Sequence, residues 1–138
     1  MKKRIFVDTA AWLALVNKSD SDHQKAKEIR DDLVRLQRRF VVTDYVVVEV
    51  ANALCKIPFR EAAVKLVNSI QAAKNIHVVE IDREIYSEAW TLFCERPDKE
   101  WSLTDCTSFV VMKQEGMNEA FTTDKHFKQA GFSILLKS

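Results

Sequence analysis

Short apolar runs alternate with longer stretches of helical periodicity along this chain. Ile5 to Val7 reads as a buried strand and Ala10 to Val16 as a helix. Between Ser21 and Arg38, apolar residues recur at Ala26, Ile29, Leu33 and Leu36, which places them on one helical face. Val41 and Val42 form a second strand. Helices are predicted over Tyr45 to Leu54 and over Arg60 to Ala73. The Val-rich start of the first suits a strand by propensity, because β-branched side chains are stiff in a helix. Ile76 to Glu80 is a third strand. Arg83 to Glu95 is a helix carrying Ile85, Ala89, Leu92 and Phe93, and Thr104 to Glu115 is another. Glu119 to Thr122 is a fourth strand, Lys125 to Ala130 a short helix, and Ser133 to Leu136 a last strand.

Strands separated by helices imply an α/β fold: a parallel sheet covered on both faces, hence three layers. Residues 1–138 are enough for one domain with a real core. The chain has two glycines, Gly116 and Gly131. Each follows a helical pattern and precedes a strand-like one, the place for a left-handed helix stop. No Gly-rich phosphate loop can be built from them. Pro58 suits the first turn of a helix, and Pro97 ends another.

Four acids stand out by position. Asp8 ends Arg4-Ile5-Phe6-Val7, and Asp124 follows Ala120-Phe121-Thr122-Thr123. Both are then placed at carboxyl ends of strands, where ligands of parallel sheets bind. Asp105 opens a helix after Ser102-Leu103-Thr104, and Glu49 lies one helical turn beyond Phe40-Val41-Val42-Thr43. Each has a plain structural alternative. Asp8 and Asp124 can cap helices. Ser102-x-x-Asp105 has the form of a capping box. Glu49 can be a solvated helix residue. Yet Glu49 sits in Val46-Val47-Val48-Glu49-Val50-Ala51, apolar on nearly every face, and Asp105 has Cys106, Phe109 and Met112 around it. A buried carboxylate costs several kcal/mol unless paired. Four acids in one small volume need a counter-charge, and Mg²⁺ or Mn²⁺ is the usual one for oxygen ligands. Asp44 is expected to cap the helix that follows it, and Asp98 to stay in a loop. The other acids sit among polar neighbours and read as solvated faces.

Composition narrows the picture a little. A net charge of +1 neither announces nor excludes nucleic acid. Cys55, Cys94 and Cys106 have no C-x-x-C spacing, so the plain reading is reduced thiols in the cytoplasm. His23, His77 and His126 fit no H-E-x-x-H pattern. No signal peptide is expected, and no apolar run approaches the length of a membrane span. Lys2-Lys3-Arg4 and Arg35, Arg38 and Arg39 are small basic clusters that read first as solvated surface. Trp12 and Trp90 read as core or dimer contacts, Trp101 as loop packing.

Together these pieces resemble a PIN domain. The resemblance rests on Val7-Asp8-Thr9, on Glu49 in Thr43-Asp44-Tyr45-Val46-Val47-Val48-Glu49, on Asp105 in Ser102-Leu103-Thr104-Asp105-Cys106, and on Asp124 in Phe121-Thr122-Thr123-Asp124-Lys125-His126-Phe127. Any one is weak; all four in order span the whole chain. The resemblance implies a five-stranded parallel sheet in order 3-2-1-4-5 and metal-dependent hydrolysis of RNA phosphodiester bonds. Asp8, Glu49 and Asp105 would hold a first Mg²⁺ or Mn²⁺, Asp124 would complete the site, and Thr9 would help at a helix start. No histidine or lysine is called for as a base. The short form most resembles the VapC-type toxins of toxin–antitoxin pairs, which implies a small antitoxin partner and a homodimer. The alternatives are a PIN fold that binds RNA or protein without cutting, and a solitary RNA-processing nuclease. A phosphatase of the haloacid dehalogenase type needs a second Asp two residues after the first, where this chain has Ala10. A receiver domain wants paired acids after the first strand, and Asp8 stands alone.

Overall fold

The structure is a computed structural model and describes residues 3–136. Its strands are β1 (Arg4–Val7), β2 (Arg39–Thr43), β3 (Ile76–Val79), β4 (Glu119–Phe121) and β5 (Ser133–Ile134). Its helices are α1 (Thr9–Val16), α2 (His23–Arg35), α3 (Asp44–Ala53), α4 (Ile57–Ala72), α5 (Arg83–Glu95), α6 (Leu103–Gln114) and α7 (Lys125–Gln129). The strands pair in parallel in the order β3-β2-β1-β4-β5.

The order follows from the connections. β1 to β2 to β3 steps one way across the sheet, while the link through α5 and α6 returns to the far side of β1. Right-handed crossovers then put α1 to α4 on one face and α5 to α7 on the other. The packing agrees: α1 lies against α2 and α3, α5 against α6, and α6 against α7. β1 is sheltered on both sides, with Ile5, Phe6 and Val7 all buried, as a central parallel strand requires. Phe6 meets the Phe127 ring of α7 at a centroid distance of 6.0 Å. Val7 lines a small apolar cavity with Trp12 of α1. The direction of winding reverses between β1 and β4. In parallel sheets such a reversal marks the place, at the carboxyl ends of the strands, where a ligand crevice forms.

Some boundaries differ from the pattern, each for a local reason. α2 stops at Arg35, short of Arg38, because Gln37 takes a left-handed φ of 60°. α4 starts at Ile57 rather than Arg60, with Pro58 in its first turn, where a missing N–H costs nothing. β5 is two residues long, not four. The valines after Thr43 form a helix despite their propensity, since the Thr43 hydroxyl accepts the Val46 N–H at 3.1 Å and caps it. Thr43, not Asp44, is therefore the cap; the Asp44 carboxylate instead receives the Ile81 N–H at 3.1 Å. Gly116 and Gly131 have φ of 68° and 99°, the left-handed stops expected of them. α6 is buried from Asp105 through Met112, packed against α5, α3 and α7.

Arg4 and Arg38 lie at the other end of the strands. Arg38 pairs with Glu119 at 2.6 Å, and Arg4 pairs with Glu115. Arg4 and Glu119 open β1 and β4, and Arg38 immediately precedes β2, so these pairs mark the amino ends of the strands, opposite the crevice. Lys2 lies outside the described residues. Among the described residues, no helix is long and apolar enough to cross a membrane.

Candidate active site

Asp8 leaves the end of β1 and is buried at 5% exposure. It holds the N-cap position of α1, yet its side chain makes no cap hydrogen bond. The carboxylate is turned to other partners: the Thr122 hydroxyl donates to Asp8 Oδ2 at 3.0 Å. The Asp8 N–H donates to the Phe121 carbonyl at 3.2 Å, which locks the ends of β1 and β4 together. Thr122 also accepts the Asp124 N–H at 3.0 Å, so one hydroxyl links both acids.

Asp124 and Asp105 are both capping residues. Asp124 caps α7 through the His126 N–H at 2.8 Å. Asp105 forms the expected capping box, accepting the Ser102 N–H at 3.1 Å while Ser102 Oγ accepts the Asp105 N–H at 2.9 Å. These structural roles do not exclude a second one, because a carboxylate has about four acceptor positions. Between the two acids stands the His126 ring. Its Nδ1 lies 3.0 Å from Asp105 Oδ2 and 3.3 Å from Asp124 Oδ1. Carboxylates accept, so Nδ1 carries the hydrogen in this arrangement. Ligand atoms of Asp105, Asp124 and His126 all fall within 4.8 Å of one another, a cluster able to hold a divalent cation.

The electrostatics single out Asp8. Burial pushes its carboxyl up to about 7, with Asp105 and Asp124 adding repulsion, against the pull of the Thr9 N–H and the Thr122 hydroxyl. Asp105 is also raised, first by burial and further by Asp124; the Ser102 N–H and His126 draw it back. Asp8, Asp105 and Asp124 therefore share one field.

Glu49 stands apart from that group. It is half-buried rather than enclosed, because Val48 beside it faces solvent at 57% exposure. The expectation that Glu49 is enclosed by apolar helix faces is thus corrected: four valines in five residues do not fill every side of α3. Glu49 meets the rest through Thr9, whose hydroxyl donates to Glu49 Oε1. Asp98 is exposed and held by Arg96 at 3.0 Å, away from the acids. Trp101 packs edge-on against Phe109 and donates to Gln129 at 3.0 Å, a loop-packing role. Trp12 is core, whereas Trp90 is 49% exposed and stacks on Phe93.

Two participants escaped the sequence reading. Thr122 had no pattern to mark it. His126 follows Asp124 by two residues, a spacing with no ligand signature on its own, and only the docking of α7 on α6 brings it to Asp105.

Residues 5–133 match the PIN domain family. The chain belongs to that family. A curated relative, the 23S rRNA-specific endonuclease VapC20 of Mycobacterium tuberculosis, is 30% identical over 128 residues, 93% of this chain and 95% of the relative. The crystal structure of VapC20, described as a sarcin–ricin loop cleaving toxin, superposes with a TM-score of 0.84 at 28% identity, over 93% of this chain and 95% of that one. VapBC2 of Rickettsia felis, solved on a fragment of its promoter DNA, shares the fold with a TM-score of 0.70 at 12% identity, over 96% of this chain and 97% of that one. The sheet order inferred from the PIN resemblance is the one observed.

Proposed function

We propose that this PIN domain is a divalent-metal-dependent endoribonuclease of the VapC type, the toxin of a toxin–antitoxin pair. The observation that carries the reading is the gathering of Asp8, Asp105 and Asp124 at the carboxyl ends of β1 and β4. The likeness to VapC20 across most of both chains points the same way.

The donor set suits a metal ion. Three carboxylates repel one another, and among the described residues the one basic group against Asp105 and Asp124 is an imidazole. Asp8, Asp105 and Asp124 would hold Mg²⁺ or Mn²⁺, with Glu49 reaching it through water. When bound, the ion supplies charge for a phosphate oxygen and a more acidic water. The chain does the placing. Thr122 fixes the Asp8 carboxylate, Ser102 fixes Asp105, and the α7 backbone fixes Asp124. Thr9 is already committed to Glu49, so its role is to hold that acid toward the crevice rather than to touch phosphate itself.

A small antitoxin, a homodimer and action in the cytoplasm complete the reading; they rest on the family resemblance and on three free cysteines. The whole of residues 1–138 acts as one nuclease domain. The first substrate to test is 23S rRNA, the target for which VapC20 is named. Purified protein with Mg²⁺ or Mn²⁺ should cut it at discrete sites, and EDTA should stop the reaction. Asp8→Asn, nearly the same shape, should lose roughly 100-fold to 1,000-fold in rate, and should also relieve growth arrest on expression. Cleavage equal in Asp8→Asn and wild type would remove this reading; cleavage without growth arrest would leave a solitary RNA-processing nuclease.

A further inference from the structure

We infer that His126 is itself a metal ligand, through Nδ1. The cation held here is then of the transition-metal class represented by Mn²⁺, in preference to Mg²⁺. The inference rests on the reading that the acid cluster binds a divalent ion, and it adds a nitrogen donor to a set otherwise made of oxygen.

The argument is geometric. Two donors on neighbouring corners of an octahedron, with bonds of roughly 2.1 Å, lie about 3 Å apart. His126 Nδ1 sits 3.0 Å from Asp105 Oδ2 and 3.3 Å from Asp124 Oδ1. All three ligand atoms lie within 4.8 Å of one another. The two distances from Nδ1 have the spacing of neighbouring corners of a coordination shell, and the third side of the triangle, between the carboxylate oxygens, is no longer than 4.8 Å. The ring nitrogen stands between the carboxylates with its hydrogen. Ligation through Nδ1 needs the other neutral tautomer, so the single ring hydrogen leaves Nδ1 and is carried on Nε2, exchanged through solvent.

The supports of the three donors are independent of a metal. Asp105 is held by the Ser102 N–H in the first turn of α6, and Asp124 by the His126 N–H at the start of α7. His126 is carried on that same turn, with Phe127 locked behind it against Phe6 and Phe109. A donor triad fixed before the ion arrives binds it with little reorganisation. The chemical consequence is selectivity. Mg²⁺ takes oxygen almost exclusively, whereas Mn²⁺, which shares its liking for carboxylates, accepts an imidazole nitrogen more readily.

Pulsed electron paramagnetic resonance on the Mn²⁺-loaded full-length protein tests this directly. Wild type should show the ¹⁴N coupling of a directly bound imidazole, and labelling with ¹⁵N-histidine should convert it to the ¹⁵N pattern without any substitution. His126→Gln, checked for fold by circular dichroism, should lose the coupling and bind Mn²⁺ about 10-fold to 100-fold more weakly. Its Mg²⁺ affinity, read by calorimetry, should change much less, so the Mn²⁺/Mg²⁺ preference narrows. Mn²⁺ bound to wild type without nitrogen coupling would overturn the inference and leave the metal site standing, with His126 merely orienting the carboxylates. Failure of wild type to bind Mn²⁺ at all would overturn both.

Discussion

Asp105 and Cys106 are neighbours in sequence that meet opposite demands. Asp105 finds partners in the Ser102 N–H and His126. Cys106 points into the core at 0% exposure, and burial, with the Asp105 charge next, pushes its thiol up to about 11. A thiol there holds its proton and has no path to reagents. Cys55 and Cys94 are exposed. Alkylation of the native protein should therefore modify two of the three thiols quickly, with the third reacting only after denaturation; mass spectrometry of the labelled chain checks it, and fast labelling of Cys106 would contradict the packing. At this scale the sequence was legible where one residue type has few options. Asp8 and Asp124 at strand ends, the Ser102–Asp105 capping box and the two left-handed glycines are of that kind. It was not legible where the partner is remote. Thr122 pairs with Asp8 across 114 positions, and His126 reaches Asp105 across 21. Glu49 failed for another reason: burial was inferred from neighbours in the chain, while a helix sends consecutive residues to different sides.

Helix α6 shows both how much and how little periodicity says. Its residues from Asp105 to Met112 are buried on every side, so the amphipathic signal that marked α2 is absent. The price of total burial falls on Ser108, fully buried with a hydroxyl that has no hydrogen-bond partner among the described residues. An unsatisfied buried hydroxyl costs about 1–3 kcal/mol, and alanine is also the better helix former. Ser108→Ala should therefore stabilise the protein by roughly 1 kcal/mol, seen as a higher urea midpoint at unchanged slope. A lower midpoint would mean the hydroxyl is satisfied or the small void matters more. The elements themselves were legible because strands and helices alternate with clear punctuation. Their ends were less so, since Gln37 in a left-handed turn and Thr43 as a cap depend on backbone geometry that no periodicity encodes. The order of strands was not read from periodicity at all; it came with the resemblance to PIN domains.

For the molecule as a whole, the fold gathers like charges at one end of the sheet, and this sets how stability responds to pH. In the metal-free protein, Asp8 titrates near 7 when folded and near 3.8 when unfolded. Between these values the folded chain binds more protons than the unfolded one, so stability falls as pH rises. The contribution is complete below about 3.8 and is lost as pH passes through 7; the difference corresponds to on the order of 4 kcal/mol. Asp105 is raised as well and acts with the same sign. In EDTA, the melting temperature should fall between pH 5.5 and pH 8. Asp8→Asn, which cannot ionise, should flatten that slope and melt higher than wild type at pH 8. A divalent cation inverts the pattern, because it binds the ionised carboxylates of the folded state only and stabilises by mass action. Saturating Mn²⁺ should raise the melting temperature more at pH 8 than at pH 5.5. A metal-free melting temperature that is flat or rises across this window would show that Asp8 is not held protonated, and with it would go the claim that this end of the sheet is an anionic pocket in need of a cation.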